Sequence, residues 1–148
     1  MNDLSSNPAF TAYAITTILL CFNVLALWGY SGGVRAGTKT CVNPEDALTV
    51  SKGAAVREAD PAAVARVIRA YNNAAANNLP FLAIGLVYVL LGASPTMAAV
   101  LFGSFTAFRL IHSVVYLREM QPWRTAAFAL GGLVTLVMGA DMVRLLVM

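Results

Sequence analysis

Four stretches of this sequence are long and apolar enough to cross a lipid bilayer, and they constrain its fold more than any other feature. A spanning helix needs about 20 predominantly apolar residues. The first stretch runs over about 10–30, the second over 64–91, the third over 97–117 and the fourth over 123–148. Hydrophobic residues make up 59% of the 148 and charged residues only 11%, where a soluble domain carries about 25% charged residues. So few charges do not cover a water-facing surface, which sets aside soluble, disordered, collagen-like and coiled-coil classes. The first stretch has no basic segment before it and no small-residue cleavage pattern after it, so it reads as a retained helix rather than a signal peptide.

The breaks between the stretches differ in size. Residues 31–60 form one long polar segment. Gly92-Ala93-Ser94-Pro95 is a tight turn, with a helix-stopping Gly followed by Pro, and Arg118 to Pro122 is another. Short connections make consecutive helices antiparallel neighbours. The expected fold is therefore an all-α integral membrane protein, a single domain over 1–148 built as an antiparallel four-transmembrane-helix bundle.

Charge predicts an orientation. Arg35, Lys39, Lys52, Arg57, Arg66, Arg69, Arg118 and Arg124 are eight of the ten basic residues, and all lie in the long loop, the base of the second helix or the last turn. By the positive-inside rule those segments are cytoplasmic and both termini lie opposite. The net charge of +3 is then a matter of topology. No basic patch alternates with aromatic residues, so nucleic acid is not an expected partner. The Ala-rich, Lys-poor composition points to a bacterial inner membrane.

Ionisable and amide side chains inside the spans are the informative ones, because they are costly in lipid and face a bundle interior or a partner. Arg109 falls about 13 Å below the loop level at 1.5 Å per residue. His112 and Tyr116 follow at i+3 and i+7, within about 60° of arc, as one stripe rising to the loop side. On the second helix Arg66, Arg69, Asn73, Asn77 and Pro80 share a face; Asn73 and Asn77 also read as interhelical glue. Pro80 removes one backbone hydrogen bond and frees the carbonyl of Ala76. The fourth helix opens Pro122-Trp123-Arg124-Thr125, placing Arg124 and Thr125 at a helix start that favours an anion. Asp141 and Arg144 read as a solvated pair at the opposite surface. One histidine and two widely spaced cysteines supply no metal site. Together these residues predict a cationic polar pocket near the loop side. It suits a small, multiply anionic ligand, with a lipophilic second substrate entering from the bilayer. A pure packing network is the competing reading.

The run Asn43-Pro44-Glu45-Asp46-Ala47-Leu48 resembles the first loop of the MAPEG family, membrane-associated proteins in eicosanoid and glutathione metabolism. Arg66-…-Arg69-Ala70-Tyr71-Asn72-Asn73 and Leu79-Pro80-Phe81-Leu82 are similar to its second-helix signature. Arg109-Leu110-Ile111-His112-Ser113-Val114-Val115-Tyr116-Leu117, closed by Gln121-Pro122-Trp123-Arg124-Thr125, resembles its third helix and following turn. The resemblance implies a homotrimer that binds glutathione between neighbouring subunits. It implies transferase or peroxidase action on lipophilic electrophiles through a stabilised glutathione thiolate. In that reading Arg124 and Thr125 are the catalytic residues, and Arg35, Asn73, Asn77, Arg109, His112 and Tyr116 bind glutathione. Where the family usually carries a glutamate, one turn after Asn73, this sequence has Ala76. That departure keeps open a second reading, a non-catalytic, lipid-binding membrane scaffold of the same family.

Overall fold

The computed structural model describes residues 4–147; the expected helix end at Met148 lies outside them. A short 3-10 turn, Leu4–Ser6, leads into α1 (Pro8–Thr38). The long connection holds β1 (Thr40–Cys41), α2 (Pro44–Leu48) and β2 (Ala55–Val56), and is followed by α3 (Ala62–Leu90), α4 (Pro95–Leu117) and α5 (Trp123–Val147). Helices α1, α3, α4 and α5 are each long and apolar enough to span a membrane. The chain is a multi-pass integral membrane protein built as an all-α bundle.

Helix α1 begins with a stop on both sides of its first residue: Asn7 Oδ1 accepts from the Ala9 amide at 2.9 Å, and Pro8 occupies the first turn. It then runs on well past residue 30, to a Lys39 cap at φ 51°. The glycines at 32, 33 and 37 do not break it, because none takes a positive φ. A helix of 31 residues is about 46 Å long, against a hydrocarbon core of about 30 Å. Its last turns therefore rise clear of the core and carry Arg35, which sits on helix rather than in a loop. There Arg35 donates to Asp60 through Nε at 3.1 Å and Nη2 at 2.8 Å, tying the end of α1 to the start of α3.

The connection is small but ordered. Its two strands pair in parallel, Thr40 opposite Ala55 and Cys41 opposite Val56, and Cys41 is buried. Beyond it, α3 carries Pro80 in its interior and ends at Gly92, which takes φ 82°. Ser94 then accepts from the Met97 amide at 3.3 Å and opens α4.

Helix α4 is the most enclosed of the four spans, half buried against a sixth for α1 and α5. Lipid offers no hydrophobic drive for helix association, so close packing and interhelical hydrogen bonds hold such bundles. Both are present. Phe81 stacks on Phe105 with centroids 3.5 Å apart, and Phe102 meets Phe81 and Tyr13 edge-on. Gly85 admits Phe102; a Cβ there would lie 2.7 Å from its ring. Thr106 Oγ1 bonds Thr16 Oγ1 at 3.1 Å, and Asn23 Nδ2 donates to Ser113 Oγ at 3.0 Å, two links from α1 to α4. Arg66 Nη2 pairs with Glu119 at 3.0 Å, bringing the base of α3 to the turn after α4. At the other end Tyr88 of α3 donates to Asp141 of α5 at 2.5 Å. Asp141 is therefore not the freely solvated group its place near a helix end suggests. Trp28 and Trp123 are exposed on the outside of the bundle, as interfacial aromatics are.

Candidate functional site

Near the turn between α4 and α5 an open cavity of about 260 Å³ is lined by Asn73, His112, Tyr116, Arg124, Thr125 and Phe128. Five of the eight residues singled out from the sequence meet there. Asn73 comes from α3, His112 and Tyr116 from α4, and Arg124, Thr125 and Phe128 from the first turns of α5. The helical spacing of His112 and Tyr116 brings their rings together, centroids 5.5 Å apart and edge to face. The Arg124 guanidinium lies over the Tyr116 ring, 4.8 Å from its centroid, a cation–π contact that holds the charge at the wall of the cavity. Among the described residues, no carboxylate lines this cavity.

Arg109 lies on the same stripe of α4 as His112 and Tyr116 and is 1% exposed. Its Nη2 donates to the Asn73 side-chain oxygen at 2.7 Å and to the Asn73 carbonyl at 3.1 Å. Its Nε and Nη1 have no partner among the described residues. Gly131 of α5 packs against this side chain, its Cβ position at an ordinary contact distance of 3.5 Å from Arg109 Cδ. The pairing also fixes what Asn73 offers. With its Oδ1 engaged by Arg109, the group left is the amide NH₂, a donor.

Asn77 turns back on its own helix and donates through Nδ2 to the Asn73 carbonyl at 2.8 Å, leaving its Oδ1 as an acceptor. It lines a neighbouring groove of about 590 Å³ between α3 and α5, with Ala76, Pro80, Leu133 and Leu136 among its walls. Phe128 borders both spaces, so the polar cavity and the apolar groove adjoin at its ring. Arg35 is the outlier. Within one chain it lines a separate cavity of about 350 Å³ beside Lys39 and Lys52.

The start of α5 is less bare than its sequence suggests. The amide of Arg124 is taken by the Met120 carbonyl at 3.0 Å and that of Ala126 by the Pro122 carbonyl at 3.1 Å. Two of the helix's first amides are thus already engaged, and the full positive charge there is that of the Arg124 side chain. Gln121, joined to Pro122 by a cis peptide bond, lies beside them. With its amide oxygen toward Arg124 it accepts from Nη2 at 2.6 Å and Nε at 3.2 Å, and its nitrogen donates to Thr125 Oγ1 at 3.1 Å.

Sequence reasoning passed over Gln121, Phe128, Gly131 and Asn78. Gln121 stands at i and i+3, i+4 spacing from Arg124 and Thr125, a signal that was available. Phe128 and Gly131 matter through shape alone, which no spacing announces. Asn78 is buried, and neither of its amide atoms has a protein partner.

The chain matches the model of the MAPEG family over residues 13–143. It is 35% identical to the prostaglandin E synthase of Equus caballus over 129 residues, 86% of this chain and 83% of that protein. It is 37% identical to microsomal glutathione S-transferase 1 of Rattus norvegicus over 139 residues, 92% of this chain and 88% of that one. For the Homo sapiens form of that transferase the identity is 31% over 141 residues, 93% and 91% of the two chains. A match over nearly the whole membrane domain, with relatives at this level of identity, places the chain in the MAPEG family.

Proposed function

We propose that this protein is a glutathione-dependent membrane transferase or peroxidase acting on lipophilic electrophiles. The observation that carries the reading is the cavity at the start of α5, where cationic and donor side chains converge with no carboxylate. Its donors suit the carboxylates, peptide carbonyls and thiolate of the tripeptide. Arg109 adds two buried donors still without a partner, and a buried polar group without a partner is costly. The ligand's ammonium group needs an acceptor; Ala76 offers none, and Asn77 Oδ1 is left for it.

Bound glutathione supplies the thiol that attacks the electrophile. The residues of the chain hold it and shift its proton. A free thiol titrates near about 8.5, and lowering that by two units takes about 2.7 kcal/mol. Arg124 and the Thr125 hydroxyl stand at one wall of the cavity, and a nearby cation with a charge-assisted hydrogen bond supplies an effect of that order. Asn73 and Tyr116 bond the peptide groups, His112 packs against Tyr116, and Arg109 and Arg35 take carboxylates.

A cavity of about 260 Å³ is small beside the ~300–1,000 Å³ of typical ligand pockets. This supports a homotrimer in which a neighbouring copy completes the site and brings Arg35 to it. The same reading has helices alternating up and down, with the long connection and the α4–α5 turn facing the cytoplasm of a bacterial inner membrane. The lipophilic substrate enters from the bilayer along the groove beside Phe128.

The apolar groove and the alanine at 76 favour a second reading, a lipid-binding scaffold without catalysis. Thermal unfolding of the detergent-purified protein separates the two. A ligand at 100 times its Kd adds about 2.7 kcal/mol of stability. Saturable stabilisation by reduced glutathione and S-hexylglutathione supports the transferase. Stabilisation by palmitate alone supports the scaffold.

A further inference from the structure

Gln121 has no role in the reading above, yet its amide touches both residues placed at the thiol. The two orientations of that amide are not equivalent. With nitrogen toward Arg124, an amide N–H would face guanidinium N–H groups at 2.6 Å, donor against donor. With oxygen toward Arg124, the carbonyl accepts from Nη2 and Nε, and the nitrogen donates to Thr125 Oγ1 at 3.1 Å. Chemistry selects the second orientation, and two consequences follow.

The first concerns Thr125. A hydroxyl has one proton and two acceptor lone pairs. Once the Gln121 N–H fills a lone pair, the hydroxyl cannot spend its proton on Gln121. That proton is left to be donated into the cavity that Thr125 lines. The second concerns Arg124. Its guanidinium is held on a face by the Tyr116 ring at 4.8 Å and along one edge by the Gln121 carbonyl. Neither contact uses Nη1. An unanchored arginine has rotamer freedom to lose when it meets an anion; this one has already lost it.

We infer that Gln121 is a positioning residue: its carbonyl fixes the Arg124 guanidinium, and its N–H fixes Thr125 as a hydrogen-bond donor into the cavity. The half that concerns a bound thiolate rests on the glutathione reading. The half that concerns Arg124 rests on the geometry of the α5 start alone.

Gln121 is exposed, so substitutions there leave the packed interior intact. Two variants and two readouts test the inference on the full-length protein in detergent. Gln121→Glu keeps an acceptor for Arg124 but cannot donate to Thr125, whose proton is then drawn to the new carboxylate. Gln121→Leu removes both bonds. The first readout is the ultraviolet absorbance of bound glutathione thiolate titrated against pH. Gln121→Glu is expected to raise the apparent thiol pKa by about one unit, about tenfold less thiolate well below that pKa, while glutathione affinity stays within about threefold. Titrations of both variants that superimpose on wild type overturn the inference, whatever happens to thermal stability.

The second readout needs no ligand. In protein with ¹⁵N-labelled arginine, the Arg124 Nε–H resonance, assigned by its loss in Arg124→Lys, is expected to shift in Gln121→Leu and to persist unshifted in Thr125→Val. An unshifted resonance in Gln121→Leu overturns the inference. Wild-type protein that binds no glutathione, together with the shift in Gln121→Leu, sinks the glutathione reading and leaves the Gln121–Arg124 link standing.

Discussion

At one end of the bundle Tyr88, Asp141 and Arg144 satisfy one another. Tyr88, fully buried, donates to Asp141 at 2.5 Å, and Arg144 Nε donates to the same carboxylate at 2.7 Å. At the other end Arg109, just as deeply buried, meets only Asn73 and keeps two nitrogens without a protein partner. Arg124 nearby has a ring and an amide for company but no carboxylate among the described residues. Both ends place charge at the edge of a membrane domain. One closes its polar groups on each other; the other leaves Arg124 and donor side chains around an open space, with Arg109 buried behind Asn73. A closed network strengthens packing. An open one with the same residue types costs stability, and natural proteins accept that cost chiefly at functional sites.

The contrast breaks most easily at Arg124. Arg124→Ala should lower turnover of glutathione with a lipophilic electrophile by about a hundredfold or more, the range seen when one donor to a developing anion is lost. Thermal unfolding should hardly move, since Arg124 makes no ion pair within the described residues. Retained activity would remove Arg124 from the chemistry and leave the open end without its proposed purpose.

The closed end should answer in the opposite currency. Asp141→Ala strands the Tyr88 hydroxyl in a fully buried position, and a buried donor without its acceptor costs about 1–3 kcal/mol. Tyr88→Phe removes donor and demand together, so its cost should be smaller. Denaturation in detergent measures both, and glutathione binding should be unchanged in each. No loss in either variant would show that the Tyr88–Asp141 bond is not what joins α3 to α5.

These ends were unequally legible in the sequence. The four spans are legible because length and hydropathy act through a solvent that tolerates little else, and the Arg109-His112-Tyr116 stripe is legible because helical spacing fixes angle. Arg35 reads as part of the polar segment 31–60, yet helix α1 continues to Thr38, since polar composition alone does not end a helix and no glycine in it takes a positive φ. The two-residue strands of the connection carry no periodicity long enough to detect. Tyr88 and Asp141 lie 53 positions apart, and a single sequence does not say which turns of two helices meet. The contact of Gly131 with Arg109 is likewise a property of packing, invisible until the helices are side by side.

Arg109→Met separates the two ends by sign. Stranding a buried charge by removing its partner destabilises, whereas replacing the buried charge itself with an apolar side chain of similar volume can be neutral or stabilising. The ligand-free protein should therefore unfold at the wild-type temperature or somewhat above it. The stabilisation that saturating glutathione gives the wild type should shrink in the variant, because the donors that await an acceptor are gone. A large loss of stability in the ligand-free variant would mean that Arg109 already finds its full set of partners in the assembled protein. The open end would then be a packing network like the other.

The smallest effect belongs to the helix contacts that serve neither end. Asn23 Nδ2 donates to Ser113 Oγ at 3.0 Å, linking the middle of α1 to the last turns of α4. Interhelical hydrogen bonds of this kind in membranes average about 0.6 kcal/mol, because side chains freed in lipid find other partners. Asn23→Ala, Ser113→Ala and the double variant form a cycle whose coupling energy isolates the pair. A value near that average, with glutathione stabilisation intact in all three, marks this bond as ordinary glue. Ser113 also donates at 3.1 Å to the backbone carbonyl of Arg109, the residue that carries the buried guanidinium. A coupling well above that average, or a loss of glutathione stabilisation in Ser113→Ala, would mean that the position of Arg109 depends on how α1 is seated against α4.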